Sequence, residues 1–447
     1  MDSTIFIKKD IFLKRKDNMV ILYNIHDYTN RLKMDKGTYH FLKLVNGERN
    51  ISDIESIFQK EKNTDTTNTK SNLDSKKILQ YLLDNNFLTL NSHDGKSIEL
   101  EQKDPSIDIV NFRITNACNF NCVHCFPDSK VSKKKELRID EIFNIVTELG
   151  KYKPLHITFT GGEPFLIPEF LDLVEFSNSK GMAVSICTNA SLIKDKDIER
   201  LSKCALGAVK VSMDGATPET HNSYRGNGTF EKVIPKIKLL VEASIPVCIN
   251  SVISKINFHE YKQILDLVQT LNVNEFAYDI IRYNGRAIQN WNDLQLSYQD
   301  RLECISYYRS FHPKAGNVIM GTGVFPPIME DIMNSNNITK ACATCLSNIL
   351  ILANGDLSPC WRLYDQGIFA GNLHEKSLDE IWNNGEIFQK VRNTEIDSVE
   401  KCKDCKEKIL CDASCRGFAL LEHNDWYGAP NEEKCRFSQD LINYKEI

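Results

Sequence analysis

The chain has 447 residues, 42% of them hydrophobic and 26% charged, with a formal net charge of −5. That length predicts two to three domains with ample core, and the composition excludes a disordered or collagen-like chain. The 60 acidic against 55 basic residues argue against a nucleic-acid binder, no apolar run approaches the roughly 18 residues of a membrane span, and charges break up residues 1–18 too often for a signal peptide.

The expectation is a cytoplasmic protein with neither a nucleic-acid nor a membrane partner. Residues 1–95 read as its first unit. Ile11–Lys14 and Val20–Tyr23 are β-prone runs around a Lys16-Asp17-Asn18 turn, and Arg31–Met34 is a third. A helical pattern over Thr38–Val45 stops at Asn46-Gly47. Ser52 and Glu55 form a capping box ahead of Ile54, Ile57 and Phe58, which share one helix face. The polar stretch Lys62–Lys77 reads as a loop, Ile78–Leu83 as a resumed helix and Phe87–Leu90 as a last strand. Together these describe a winged-helix-like α+β module, without a basic recognition helix.

Over residues 105–315 strand and helix alternate. Ile109–Ile114, His156–Thr160, Val184–Thr188, Ala208–Met213 and Val247–Val252 are short apolar, β-branched runs. Between them lie the amphipathic stretches Ile139–Leu149, Phe170–Ser177, Asp197–Leu201 and Phe230–Ala243. The alternation predicts a parallel α/β sheet or partial barrel, whose site lies at the C-terminal strand ends. Residues 335–447 are cysteine-rich with few long periodic stretches, so metal rather than apolar core is expected to hold them together.

The chain has 15 cysteines, and in a reducing compartment they are not expected to form disulfides. Cys187, Cys204, Cys248 and Cys304 stand alone and read as small buried hydrophobes. Directly after the strand Ile109–Ile114 comes Cys118-Asn-Phe-Asn-Cys122-Val-His-Cys125. Three thiolates on one loop can hold three corners of a [4Fe–4S] cube and leave one iron open. Zinc is the alternative, but structural zinc prefers closed four-ligand sets, and His124 is awkwardly placed beside Cys125.

This CxxxCxxC loop resembles the hallmark of the radical S-adenosylmethionine (SAM) enzymes. The resemblance continues in Gly161-Gly162-Glu163-Pro164, Thr188-Asn189-Ala190 and Ser212-Met213-Asp214-Gly215, each at a strand end, and in His221…Arg225-Gly226 with Gly228-Thr229-Phe230. It implies a partial (β/α)6 TIM-like barrel in which SAM chelates the open iron. Gly161, Gly162 and Glu163 would then flank the methionine end of SAM, where glycine lets backbone approach closely. Asn189 and Ser212 would hydrogen-bond its ribose or methionine, and Arg225 would pair with its carboxylate. One electron from the cluster would cleave SAM to methionine and a 5′-deoxyadenosyl radical that takes hydrogen from a substrate.

Cys342 and Cys345 precede Gly355, Cys360 follows it, and Cys402-x2-Cys405-x5-Cys411-x3-Cys415 and Cys435 complete a second group. A zinc ribbon could use the CxxC pairs, yet eight cysteines suffice for two closed sites, and the spacing resembles the SPASM domain of radical SAM maturases. That resemblance implies two auxiliary [4Fe–4S] clusters, three in all. Cys342, Cys345, Cys360 and Cys415 would hold the first, and Cys402, Cys405, Cys411 and Cys435 the second. Many members have one cysteine before the glycine, so either Cys342 or Cys345 could be the ligand there. Residues 1–95 in turn resemble the PqqD-type element, where a peptide leader adds as a strand, here along Arg31–Met34 beside the helix from Ile78. The function so implied is modification of a ribosomally synthesised precursor peptide, with thioether cross-links from cysteine sulfur to an acceptor carbon as in sactipeptide maturases. An electron donor such as flavodoxin or ferredoxin would serve it. Carbon–carbon or carbon–oxygen cross-linking, sulfatase-maturase-like oxidation, and a zinc-stabilised winged-helix binding protein are the alternatives.

Overall fold

The computed structural model describes residues 4–16, 19–26, 31–34, 42–64, 75–90, 92–96, 103, 105–126, 135–310, 314–315, 318–321, 347–405, 416–428 and 432–443. In the N-terminal part, strands β1 (Phe6–Lys8), β2 (Ile11–Lys16), β3 (Met19–Asn24) and β4 (Arg31–Met34) precede helices Ile51–Thr64 and Ser75–Asp84. Strands β5 (Leu88–Thr89) and β6 (Gly95–Lys96) follow. β2, β3 and β4 form an antiparallel meander, while β1, which the sequence did not announce, lies between β5 and β6 in a second sheet. Ile5, Leu13, Leu22, Ile54, Leu82 and Phe87 build one core beneath both sheets.

Four local expectations need correction or fall outside the described residues. The helix begins at Ile51, and its capping box is Asn50 with Asp53 rather than Ser52 with Glu55. Asn50 Oδ1 accepts from the Asp53 N–H at 2.9 Å, and Asp53 Oδ2 accepts from the Asn50 N–H at 3.3 Å. The helix also runs on to Thr64, into the stretch expected to be loop. Most of the pattern expected over residues 38–45, and the tip of the turn at 17–18, lie outside the described residues.

The large sheet carries the rest. Strands β7 (Ile109–Thr115), β8 (His156–Gly161), β9 (Ala183–Thr188), β10 (Leu206–Ser212), β11 (Val247–Ile253) and β12 (Glu275–Ile280) pair in parallel and in chain order. The first five coincide with the expected runs. β12 was not foreseen because Glu275, Tyr278 and Asp279 interrupt its apolar residues. This run of parallel strands joined by helices is the partial (β/α)6 barrel. β13 (Lys314–Ala315) and β14 (Val318–Gly321) extend it beyond β12. On the other edge β15 (Asn348–Ile351) runs parallel to β7 and continues into the antiparallel strands β16 (Asp356–Ser358) and β17 (Gly371–Asn372), giving eleven strands in one open sheet.

Alternation along the strands separates two faces. Phe112, Ile157, Val184, Val209 and Ile249 pack beneath the helices, where Ile142, Ile145, Val146 and Leu149 of the helix Ile139–Gly150 supply a stripe at helical spacing. Asn111, Thr158, Thr160, Cys187, Ser212 and Asn250 face the other way, into a common cavity. The inward-facing strand positions are therefore mostly polar, while the outer face of the strands is the apolar core.

The N-terminal part docks on the opposite end of these strands. Phe12 of β2 packs against Ile109, Leu155, Ala183 and Ala205, at or beside the starts of β7, β8, β9 and β10. Next to it Lys14 Nζ lies 2.7 Å from Asp108 Oδ1 and donates to the carbonyls of Ile107 (3.1 Å), Tyr152 (3.3 Å) and Lys153 (2.9 Å). The Tyr23 hydroxyl donates to the Gly181 carbonyl at 3.2 Å. A strand of seven residues at about 3.3 Å each separates this docking surface from the cavity by roughly 20 Å.

Candidate active site

The three-cysteine loop leaves β7 at Thr115, where the Glu136 carboxylate accepts from Thr115 Oγ1 (3.0 Å) and from the Asn116 N–H (2.7 Å). The end of β8 crosses this loop at very short range. A Cβ on Gly161 would lie 2.6 Å from the Thr115 carbonyl oxygen, and one on Gly162 would overlap the Ala117 carbonyl. The Gly162 and Glu163 N–H groups instead donate to the Thr115 and Ala117 carbonyls, each at 2.8 Å. Glycine is thus required here by the packing of two loops, a different reason from the ligand approach expected from the sequence.

After β12 the chain returns to the other flank of the same loop. Gly285, at φ +51°, abuts the Cys125 and Phe126 carbonyls. The Arg286 N–H donates to Cys125 O (3.0 Å), its Nη1 to Cys122 O (2.8 Å), and Asn290 Nδ2 to Val123 O (3.0 Å). With its carbonyls tied from both sides, the loop turns Cys118, Cys122 and Cys125 to a cavity of about 380 Å³. Gly161, Gly162, Asn189, Ser212 and Arg225 line that cavity too, so eight of the nine site residues expected around the first cluster share it.

The ninth, Glu163, does not line it. Its carboxylate is buried and accepts from Thr188 Oγ1 (2.7 Å), the Asn189 N–H (2.8 Å) and the Phe165 N–H (3.2 Å). Burial pushes its pKa up, and those three donors partly offset the rise. In this arrangement Glu163 ties the end of β8 to the end of β9 and fixes Asn189, whose Nδ2 donates to Asn119 Oδ1 at 2.9 Å.

Asp214 is a second buried hub. Its Oδ2 accepts from Arg225 Nε at 2.6 Å and lies 3.4 Å from His124 Nε2, while its Oδ1 accepts from the Val252 N–H at 2.7 Å. Burial would raise this carboxyl, but the Arg225 guanidinium and His124 outweigh it and hold the pKa below the usual carboxylate range. Burial drives His124 down to about 4, so the ring beside Cys125 is neutral near pH 7. Arg225 also brings Nη1 to 3.9 Å from Cys122 Sγ. Burial pushes the Cys118 and Cys122 thiols up, with Arg225 pulling both back.

Several lining residues were not expected. Cys187, read as packing, faces the cavity, whereas Cys248 and Cys304 are buried as expected. Asn111, Thr158, Thr160 and Asn250 line it as well, and the signal for all of them was polar residues at every second strand position. Asp279, Arg282, Asn284 and Trp361 also line it. Arg282 Nη2 is 2.8 Å from both Asp279 oxygens, and Asn284 Nδ2 donates to Asp365 at 3.1 Å. Trp361, next to Cys360, meets the Phe126 ring edge-to-face at 5.7 Å, joining the cysteine-rich C-terminal part to the first cysteine loop. Cys402 and Cys405 are linked by a turn in which the Cys405 N–H donates to Cys402 O at 3.1 Å, and Cys435 lies on the helix Glu432–Asn443. Cys342, Cys345, Cys411 and Cys415 lie outside the described residues.

Among the described residues no three His, Cys, Asp or Glu side chains gather closely enough for a single metal ion. Three soft thiol donors spread along one wall of a roomy, partly polar cavity fit a multi-iron cluster with space for a further ligand.

Comparison with known proteins agrees with this geometry. Residues 112–268 match the Radical SAM superfamily, and residues 342–406 match SPASM, an iron-sulfur cluster-binding domain. The AdoMet-dependent heme synthase of Methanosarcina barkeri is 27% identical over 340 residues, 71% of this chain and 93% of its own. Mycofactocin maturase MftC of Mycobacterium tuberculosis is 26% identical over 329 residues, 71% of this chain and 81% of its own. Streptococcus suis SuiB, solved with S-adenosylmethionine, superposes with a TM-score of 0.67 at 18% identity, over 96% of this chain and 99% of that one. Native anSMEcpe with bound AdoMet gives 0.58 at 19% identity, over 76% of this chain and 96% of that one. No helix among the described residues is long and apolar enough to cross a membrane.

Proposed function

We propose that this radical SAM enzyme, which carries a SPASM domain, modifies a ribosomally synthesised precursor peptide in the cytoplasm and closes cysteine thioether cross-links in it. The observation that carries the peptide reading is coverage. The likeness to SuiB, which has also been solved with its precursor peptide SuiA, extends over 96% of this chain, against 71% for the heme synthase and MftC relatives. A likeness over 96% of the chain takes in the N-terminal sheets, where β4 pairs only with β3 among the described residues and offers a strand edge for a peptide leader.

SAM and a [4Fe–4S] cluster are the cofactors, and when bound they supply hydrogen-atom abstraction. In the proposed site Cys118, Cys122 and Cys125 hold that cluster, and Asn189 and Ser212 hydrogen-bond SAM. Asp214 fixes the pose of Arg225, while Trp361 and Arg282 limit the entry of water to the cavity. The remaining cysteines hold two auxiliary clusters, and a flavodoxin or ferredoxin delivers electrons. Each thioether removes two hydrogens from the peptide: the acceptor carbon would give a hydrogen atom to the 5′-deoxyadenosyl radical, the cysteine sulfur would give a proton, and the electron left over as the carbon–sulfur bond forms would pass to an auxiliary cluster.

Co-expression with a candidate cysteine-containing precursor peptide tests this. The expected product is lighter by two hydrogens per bridge, and its bridged cysteines resist thiol alkylation. SAM cleavage with unchanged peptide mass would refute thioether formation. Conversion of a porphyrin in place of the peptide would favour the chemistry for which the heme synthase relatives are named.

A further inference from the structure

Arg113 lies on β7 two residues beyond Asn111, on the same face and one rung nearer the cysteine loop. It is 2% exposed and its Nε has no hydrogen-bond partner. The ionisable groups whose charge acts on it are Tyr364, Cys125 and Glu136. Glu136 accepts from Thr115 and Asn116, and it makes no hydrogen bond or close ion pair with Arg113. Arg225, the other buried guanidinium at the site, is already neutralised by Asp214 at 2.6 Å. A guanidinium buried without a closely bonded anion is costly, so its environment calls for one.

We propose that Arg113 is the fixed counter-charge of the iron–sulfur cluster held by Cys118, Cys122 and Cys125, and that it raises the reduction potential of that cluster. This rests on the assignment of those three cysteines. A [4Fe–4S] centre on three thiolates gains a further negative charge on reduction. A buried cation nearby stabilises the reduced form more than the oxidised form, and more strongly in a desolvated setting than in water. Arg113 does not touch substrate; it acts through the cluster as a positioning and tuning residue.

The test is a redox titration of the reconstituted full-length enzyme, followed by electron paramagnetic resonance of the cluster signal that changes on adding SAM. Arg113→Met should need a more reducing solution, with a tenfold or greater fall in the reduced-to-oxidised ratio at fixed potential, or about 59 mV for one electron. Arg113→Lys keeps the charge and should stay near wild type. An unchanged potential in Arg113→Met at full iron content would overturn the proposal. Where Arg113→Met loses this cluster alone and Arg113→Lys retains it, the counter-charge is supported; loss from both variants assigns Arg113 a purely structural role and overturns it. A wild-type enzyme without any SAM-responsive signal would instead overturn the cysteine assignment, and the tuning role with it.

Discussion

Replacing Lys14 by Met removes the charge at the junction between the N-terminal sheets and the barrel. Lys14 and Asp108 are both 0% exposed, and Nζ lies 2.7 Å from the carboxylate while donating to three backbone carbonyls. Met fills the space of the lysine stem, so packing changes little, but the buried Asp108 carboxylate loses its cation. Breaking one side of such a pair costs about 3–5 kcal/mol, far more than the change in apolar volume. Denaturant unfolding of the Lys14→Met protein should show that loss. The double variant Lys14→Met/Asp108→Leu should recover most of it, because neither charge then remains unpaired. A loss below about 1 kcal/mol in the single variant, or no recovery in the double, would refute the anchoring role.

Gly162→Ala should push the Ala117 carbonyl, and the cysteine loop with it, away from the end of β8, at about 1–3 kcal/mol of strain, and iron analysis should show loss of the first cluster with auxiliary iron retained. Asp214→Asn leaves Arg225 buried without its ion partner and should cost about 3–5 kcal/mol in denaturant unfolding, together with weaker SAM binding by calorimetry. His156 gives a pH signature. Burial pushes its pKa down to about 3, so the fold keeps it neutral while the unfolded chain takes up a proton below about 6.5. Its contribution is fully present above that pH and is lost by about 1.4 kcal/mol per unit as the pH falls toward 3. Apo-protein unfolding between pH 7 and 5 should therefore be less acid-sensitive in His156→Leu, and equal slopes would contradict this.

Much of the barrel was legible because its outer face is a repeating apolar signal. Runs such as Ile157 with Phe159 and Val209 with Val211 stand out against the polar helix faces. The inner face was harder to read, since Asn111, Thr158, Cys187 and Asn250 look like interruptions until strand alternation places them together. β12 was missed for the same reason, and β1 because three residues carry too little periodicity to be recognised. The motif residues were found by their order along the chain, yet the work done by Gly162 and Glu163 depends on how two loops cross, which no local pattern encodes. Arg113 was invisible for a related reason: only burial distinguishes it from a solvated strand cation.

The most direct measurement is SAM cleavage by the variant with Cys118, Cys122 and Cys125 all replaced by Ala. A SAM-cleaving centre on these three thiols predicts no 5′-deoxyadenosine and a protein that still carries auxiliary iron and sulfide. Continued formation of 5′-deoxyadenosine, or a wild-type protein that binds stoichiometric zinc instead of iron, would contradict it.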